Sequence, residues 1–333
     1  MPERAGERVG SRWLRFYPNP VTATVELAQR ARALGCQVEE IGTSSRGHPL
    51  FAFHLSSATG GTGVPRLLVT GQIHAAEFVA GFVARALVER LLGGGPEARL
   101  LVQQAVVCVV PLLNPDGALR VWRRWGWVGL AGSRVTANGV DPNRNFPYVP
   151  VPGRRGWNSS SERTWSPYYR GPQPLSEPEC MALARLCLRE GFCAALHFHS
   201  FGGVVFFPEP DTQECARIFD VFRTVFPAHQ TWCRYRPVPE PWSTLAGQLD
   251  LFLLDAFGVP SATVEVSRPS KQLVWQPHRW LHFFSLANPP DPHRWAENDV
   301  PATIAALAAL LERTGGRPLK PRHPELALQV PAG

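Results

Sequence analysis

The chain has no dense lysine and arginine run, no C-x-x-C pair, no internal repeat and no long uninterrupted apolar stretch. Each absence removes a class of function. The 34 Lys and Arg exceed the 27 Asp and Glu, for a formal net charge of +7. The excess comes mostly from scattered arginines and forms no dense basic run with interleaved aromatics, which argues against a nucleic-acid partner. No segment approaches the roughly 20 apolar residues of a membrane span, so no membrane partner is expected. The N-terminal decapeptide contains Glu3 and Glu7 and lacks an apolar h-region, unlike a secretory signal. Cysteines number seven, an odd count, and sit in apolar settings such as Val106-Val107-Cys108-Val109-Val110. They read as buried free thiols of a cytoplasmic protein. Charged residues make up only 18%, too few for a disordered chain, and 44% hydrophobic residues suffice for a large core.

The 33 prolines and 29 glycines imply many loops between short elements. Apolar spacing predicts helices over 21–35, 78–92, 176–190, 244–257 and 301–313. Ser176 and Glu179 form a capping box for the third of these. Strand patterns fall at 37–41, 50–55, 66–70, 105–113, 194–199, 204–208 and 261–266, and a Trp-rich loop occupies 120–174. Buried strands alternating with helices predict a single α/β domain: a mixed, mostly parallel twisted sheet with helices on both faces. Residues 1–18 are expected to be a lead-in, 19–313 the catalytic domain and 314–333 a flexible tail. No pro-domain is expected ahead of the catalytic part.

The chemistry concentrates in a few places. His74 and Glu77 follow a buried strand and open a helix, and His199 ends another strand. In open α/β sheets ligands bind beyond the carboxyl ends of strands, so the three converge at one edge. Two imidazoles and a carboxylate make an open zinc site, with the fourth position left for water. An H-x-x-E alone is weak evidence, because surface residues at loop tips produce it often. Glu265 lies in Ala262-Thr263-Val264-Glu265-Val266, a strand otherwise built for burial. A carboxylate there is costly unless paired, near metal or catalytic, and beside a zinc site it would serve as general base. Asp141-Pro142-Asn143-Arg144-Asn145-Phe146 sets a guanidinium between two amides, a fork for a carboxylate. Trp122-Arg123-Arg124-Trp125 offers a cation to stabilise an oxyanion. His197 and His199 are two apart and share a strand face; the adjoining Ser200-Phe201-Gly202 favours His199 as the ligand, with His197 a supporting partner.

Taken together the chain resembles the zinc carboxypeptidase family, the carboxypeptidase A-like metallopeptidases, nearer bacterial cytoplasmic members than digestive enzymes. The resemblance rests on seven motifs in the family's order over roughly residues 20–285: Ser45-Arg46-Gly47-His48, Gly71 to Glu77, Asn114-Pro115-Asp116-Gly117, Gly139 to Phe146, Gly171 to Glu179, His199-Ser200-Phe201-Gly202 and Thr263-Val264-Glu265. It implies a carboxypeptidase-like fold and one Zn2+ held by His74, Glu77 and His199. It implies Glu265 as general base, Arg123 as the oxyanion arginine, Asn143 and Arg144 as the grip on a substrate carboxylate, and a Ser200 contact beside the metal. The implied substrate is a peptide or small acyl-amino acid with a free carboxylate.

This chain departs from the family in four ways. Ala76 stands where an arginine is common, Phe201 replaces a tyrosine, and the loop between Arg123 and Asn143 is longer than usual. Aligning Asp250 with the family's aspartate puts Trp242 near the place of the tyrosine that caps substrate and Leu249 at the pocket base, which favours apolar terminal side chains over basic ones. The leading expectation is therefore a zinc metallopeptidase that releases a C-terminal residue. Peptidoglycan-peptide amidase and N-acyl amino acid deacylase activities are the alternatives, and a silent binding module is the reading from another class.

Overall fold

A computed structural model describes residues 14–57, 63–150, 160–240, 246–268 and 282–331. Eight strands form one sheet: β1 (Gln37–Thr43), β2 (Pro49–Leu55), β3 (Arg66–Gly71), β4 (Val106–Val110), β5 (Ala194–Ser200), β6 (Val204–Pro208), β7 (Arg236–Glu240) and β8 (Ser261–Val266), in the order β1-β2-β4-β3-β5-β8-β6-β7. The centre, β4-β3-β5-β8, is parallel. β2 joins β4 antiparallel and β6 joins β8 antiparallel, which makes the sheet mixed.

The two-residue period of a strand separates two cores. Leu67 and Val69 of β3, Leu196 and Phe198 of β5, and Val264 of β8 point into a large core. That core is covered by α2 (Phe78–Gly93) and α10 (Pro292–Thr314), with Val83, Leu87, Ile304 and Leu307 buried. Leu68 and Ala195 point into a second core under α6 (Pro178–Glu190) and α8 (Leu249–Phe257), with Phe146, Leu183 and Phe252. The same alternation sends His197 and His199 of β5 and Glu265 of β8 to the second face. α/β architecture with helices on both faces is what the alternating pattern predicts.

The remaining helices are α1 (Pro20–Ala33), α3 (Pro96–Gln104), α4 (Pro115–Arg123), α5 (Leu130–Arg134), α7 (Gln213–His229) and α9 (Phe284–Ala287). Four differences from the sequence expectations stand out. α6 begins at Pro178 behind Glu177 with no side-chain cap hydrogen bond, so the expected capping box of Ser176 and Glu179 does not form. The last long helix begins at Pro292 instead of residue 301, because the Asp291 side chain caps it by accepting from the Arg294 amide. α7 was not expected, and Thr212 caps it through the Cys215 amide. The tail expected to be flexible is packed through residue 331. Leu319 and His323 donate backbone hydrogen bonds to Gly258 and Asp255, and Leu326 and Val330 enter the second core.

Candidate active site

β3 ends at Gly71, and the chain crosses Gln72 at φ 49° to deliver His74. Glu77 is the residue that precedes the first turn of α2. Asn288 clamps that turn: its side-chain oxygen accepts from the Val79 amide at 2.9 Å and its nitrogen donates to the Ala76 carbonyl at 2.7 Å. Strand β5 brings His199 to the same edge, since β3 and β5 are paired through Gly71 and Phe198. All three side chains are buried.

Their donor atoms face one another. His74 Nδ1 lies 2.8 Å from Glu77 Oε1, His199 Nδ1 lies 3.2 Å from Glu77 Oε2, and the two Nδ1 atoms are 3.2 Å apart. Ligand atoms about 2.0–2.1 Å from a tetrahedral zinc stand about 3.3 Å from one another, so this spacing fits the ion. Glu77 Oε2 is buried and completes no hydrogen bond among the described residues. Two imidazole nitrogens and a carboxylate gathered around one point, with an acceptor left over, are a donor set for a cation. Burial opposes the charge on Glu77, yet the two imidazoles hold its carboxyl well below the usual carboxylate range. Burial likewise pushes His199 down, so its lone pair is available to a metal at neutral pH.

Behind the triad stands a second, fully paired layer. Asp141 Oδ1 lies 3.2 Å from His74 Nε2, on the side of the ring away from Nδ1, the nitrogen that faces Glu77. Asp141 Oδ2 accepts from Nε and Nη2 of Arg134 at 3.0 and 2.8 Å. Arg134 Nη2 lies 2.9 Å from His74 Nε2. Burial alone would raise the Asp141 carboxyl, but Arg134 and His74 hold it far below its ordinary value.

Glu265 is the register partner of His199 on the neighbouring parallel strand, so both side chains leave the same face one strand spacing apart. It is half-buried, and a Cβ on Gly202 would stand 3.1 Å from its own Cβ. Glycine at 202 therefore leaves room for the stem of the Glu265 side chain.

Arg144 is buried, and its Nη1 donates to the Asn143 carbonyl at 2.6 Å. The Asn143 side-chain oxygen accepts from the Leu249 amide at 3.0 Å. Gly247, at φ 81°, presses against the Arg144 backbone so closely that any side chain would clash. Segment 143–146 is thus joined to the start of α8, where Leu249 packs in the second core and Asp250 lies just beyond. Burial pushes the Asp250 carboxyl up to about 6, opposed by the Leu251 amide and the nearby Arg144 guanidinium. Ser200 is buried at the end of β5, with its hydroxyl meeting no partner among the described residues.

The sequence model of one protein family, Zinc carboxypeptidase, matches residues 22–279. The chain belongs to the zinc carboxypeptidase family. Among curated relatives it is 27% identical over 181 residues to carboxypeptidase B of Astacus astacus, covering 51% of this chain and 56% of that protein. It is 27% identical over 195 residues to gamma-D-glutamyl-L-diamino acid endopeptidase 1 of Lysinibacillus sphaericus, covering 52% and 45%. The chain thus spans about half the length of the curated relatives it matches. Among solved structures it resembles bovine thrombin-activatable fibrinolysis inhibitor, with TM-score 0.67 at 17% identity over 89% of this chain and 98% of the other. It also resembles a Pseudomonas aeruginosa metallo-carboxypeptidase, with TM-score 0.59 at 20% identity over 88% and 69%. These likenesses establish the fold.

Arg123, expected at the oxyanion, is the exposed last residue of α4, and Arg124 beside it is exposed too. The guanidinium that touches the triad belongs to Arg134, at the end of α5. Backbone contacts put it there: the Ala75 and Ala76 amides donate to the carbonyls of Arg134 and Ser133. The unusual length of the loop between Arg123 and Asn143 was the available signal, because it leaves room for a closer arginine. Asp141 and Asn288 were also missed; neither makes a metal-ligand pattern in sequence. Ala76 is buried, with its carbonyl bound to Asn288. Trp242 lies outside the described residues.

Proposed function

We propose that this chain is a zinc metallopeptidase that hydrolyses the last peptide bond of a substrate bearing a free carboxylate. One observation carries the reading: Glu265 is in register with His199, and Arg134 contacts His74 of the same triad. A candidate general base and a candidate oxyanion cation therefore adjoin the point where His74, Glu77 and His199 would hold an ion. Zinc bound there supplies Lewis-acid polarisation and lowers the pKa of water to about 7.

The chain's own groups do the rest. Arg144 takes the terminal carboxylate with its planar fork, and the Asn143 amide adds a donor. Leu249 and Asp250 form the floor beneath the terminal side chain, Ser200 flanks it, and Trp242 is assigned as its cover from its place in the sequence. The Glu265 carboxylate takes a proton from the attacking water and returns it to the departing amine. Arg134 donates to the carbonyl oxygen as negative charge grows on it. The role first assigned to Arg123 passes to Arg134 in this scheme. We place the protein in the cytoplasm, since all seven cysteines are free and six are buried. No helix among the described residues is long and apolar enough to cross a membrane.

Turnover of N-acyl dipeptides before chelation, after chelation and after Zn2+ is restored tests this. The expected course is loss and recovery. Undiminished turnover by metal-free protein ends the proposal.

A further inference from the structure

The two arginines of the proposed mechanism share a neighbour that neither the motifs nor the metal site accounts for. The Arg134 guanidinium carbon stands 5.0 Å from the centroid of the Tyr168 ring, and that of Arg144 stands 5.7 Å from the same centroid. Both distances fall within the range in which an aromatic ring attracts a cation. Tyr168 is buried. One ring therefore touches the cation assigned to the scissile carbonyl and the cation assigned to the terminal carboxylate.

The chain holds this ring in place with care. Ser161 donates to the Tyr168 carbonyl at 2.9 Å, and Arg170 donates to the Ser161 carbonyl at 2.9 Å. The Tyr168 amide donates to the Ser166 hydroxyl at 3.2 Å. The loop is then tied to the arginine segment itself. The Asp141 amide donates to the Tyr169 carbonyl at 2.8 Å, and the Asn145 side chain donates to the Arg170 carbonyl at 2.7 Å. Asp141 is also the carboxylate that grips Arg134. The ring thus belongs to the rigid frame that carries both guanidiniums.

We infer that Tyr168 is a positioning residue: its ring fixes the spacing between Arg134 and Arg144, and so the spacing between carbonyl and carboxylate that the site accepts. Two like charges brought near each other repel, and a ring whose negative face meets both offsets that repulsion. The ring adds to the hold of Asp141 on Arg134 and of the Asn143 carbonyl on Arg144. The recognised unit is a terminal α-amino acid residue, in which carboxylate and acyl carbonyl are separated by one residue. This rests on the proposed peptidase reading.

The test uses the zinc-loaded full chain, with N-acetyl-L-phenylalanine as a binding probe measured by calorimetry and an N-acyl dipeptide for turnover. Tyr168→Leu is expected to weaken probe binding by about 3- to 30-fold, the range of a cation–π contact. Tyr168→Phe keeps the ring and is expected to bind like the parent. In an Arg144→Ala background the Tyr168→Leu loss is expected to shrink severalfold, which a merely structural role would not produce. Equal probe affinity in parent and Tyr168→Leu overturns the inference, as does an undiminished loss in the Arg144→Ala background. Binding that follows the expected pattern without any turnover supports the inference and removes the peptidase reading alone.

Discussion

Two clusters among the buried carboxylates of the described residues differ in what surrounds them. At the carboxyl ends of β3, β5 and β8, Glu77 and Asp141 sit among His74, His199 and Arg134, and both are held far below the ordinary carboxylate range. Beside the β1–β2 turn, Asp116, Glu177 and Glu179 meet mainly hydroxyls and amides. Asp116 accepts from Ser44 and the Arg46 amide and lies 2.7 Å from His48 Nδ1. Glu177 accepts from Thr136 and Asn138. Glu179 Oε1 accepts a 3.4 Å contact from the Ser45 amide, and its Oε2 has no partner among the described residues. Burial pushes Glu179 up to about 7, with Glu177 and Asp116 adding to the effect. Both groups are acidic and enclosed, but only the first contains cations and imidazoles that point at a common centre. Charge pairing, more than burial, separates a site built for chemistry from one built to hold loops together.

That contrast can be broken in four places. Replacing the base has the largest effect: Glu265→Gln should lower kcat by about 10²–10⁴-fold while zinc content stays stoichiometric. Parent-level kcat in that variant would remove Glu265 from the proton path. Next is the cation beside the triad. Arg134→Ala should cost about 10²–10³-fold in kcat, whereas Arg123→Ala should leave kinetics at the parent level. The reverse ranking would return the oxyanion to α4. Smaller still is the orienting carboxylate: Asp141→Ala should weaken zinc affinity by about 10–100-fold, read by competition with a chelator of known strength.

The smallest effect belongs to the other cluster. A carboxyl raised in the folded state binds more protons there than in the unfolded chain between its ordinary value and about 7. The stability it contributes is present below its ordinary value and is lost as pH rises through about 7. Glu179→Gln should therefore flatten the decline of melting temperature across that window, by on the order of 2–4 °C, with kcat unchanged at each pH. A decline of parental steepness in the variant would place the titration elsewhere.

Much of this was legible in one dimension. Strand β3 and the residues after it announce themselves, since a buried apolar run followed by His74 and Glu77 is short-range information. The alternation in β5 predicts that His197 and His199 share a face, and the structure has His197 buried against Thr70, its Nδ1 2.9 Å from the Thr70 hydroxyl. Other features depend on contacts between distant segments. Arg134 reaches the triad because residues 75–76 hydrogen-bond to the end of α5, and no local spacing encodes that pairing. The 314–331 segment is rich in proline and polar residues, the usual marks of a loose tail, yet Leu326 and Val330 find a core that the rest of the chain provides.

The fold class, the two faces of each central strand and the three residues that gather into a possible metal site are written in local sequence, because hydrophobic period and motif chemistry are properties of neighbouring residues. Which arginine stands beside that triad, which carboxylate lies against His74 and which ring lies near two guanidiniums follow from the tertiary structure alone. Those depend on where separate loops meet, and that is set by packing and backbone hydrogen bonds across the whole sheet edge.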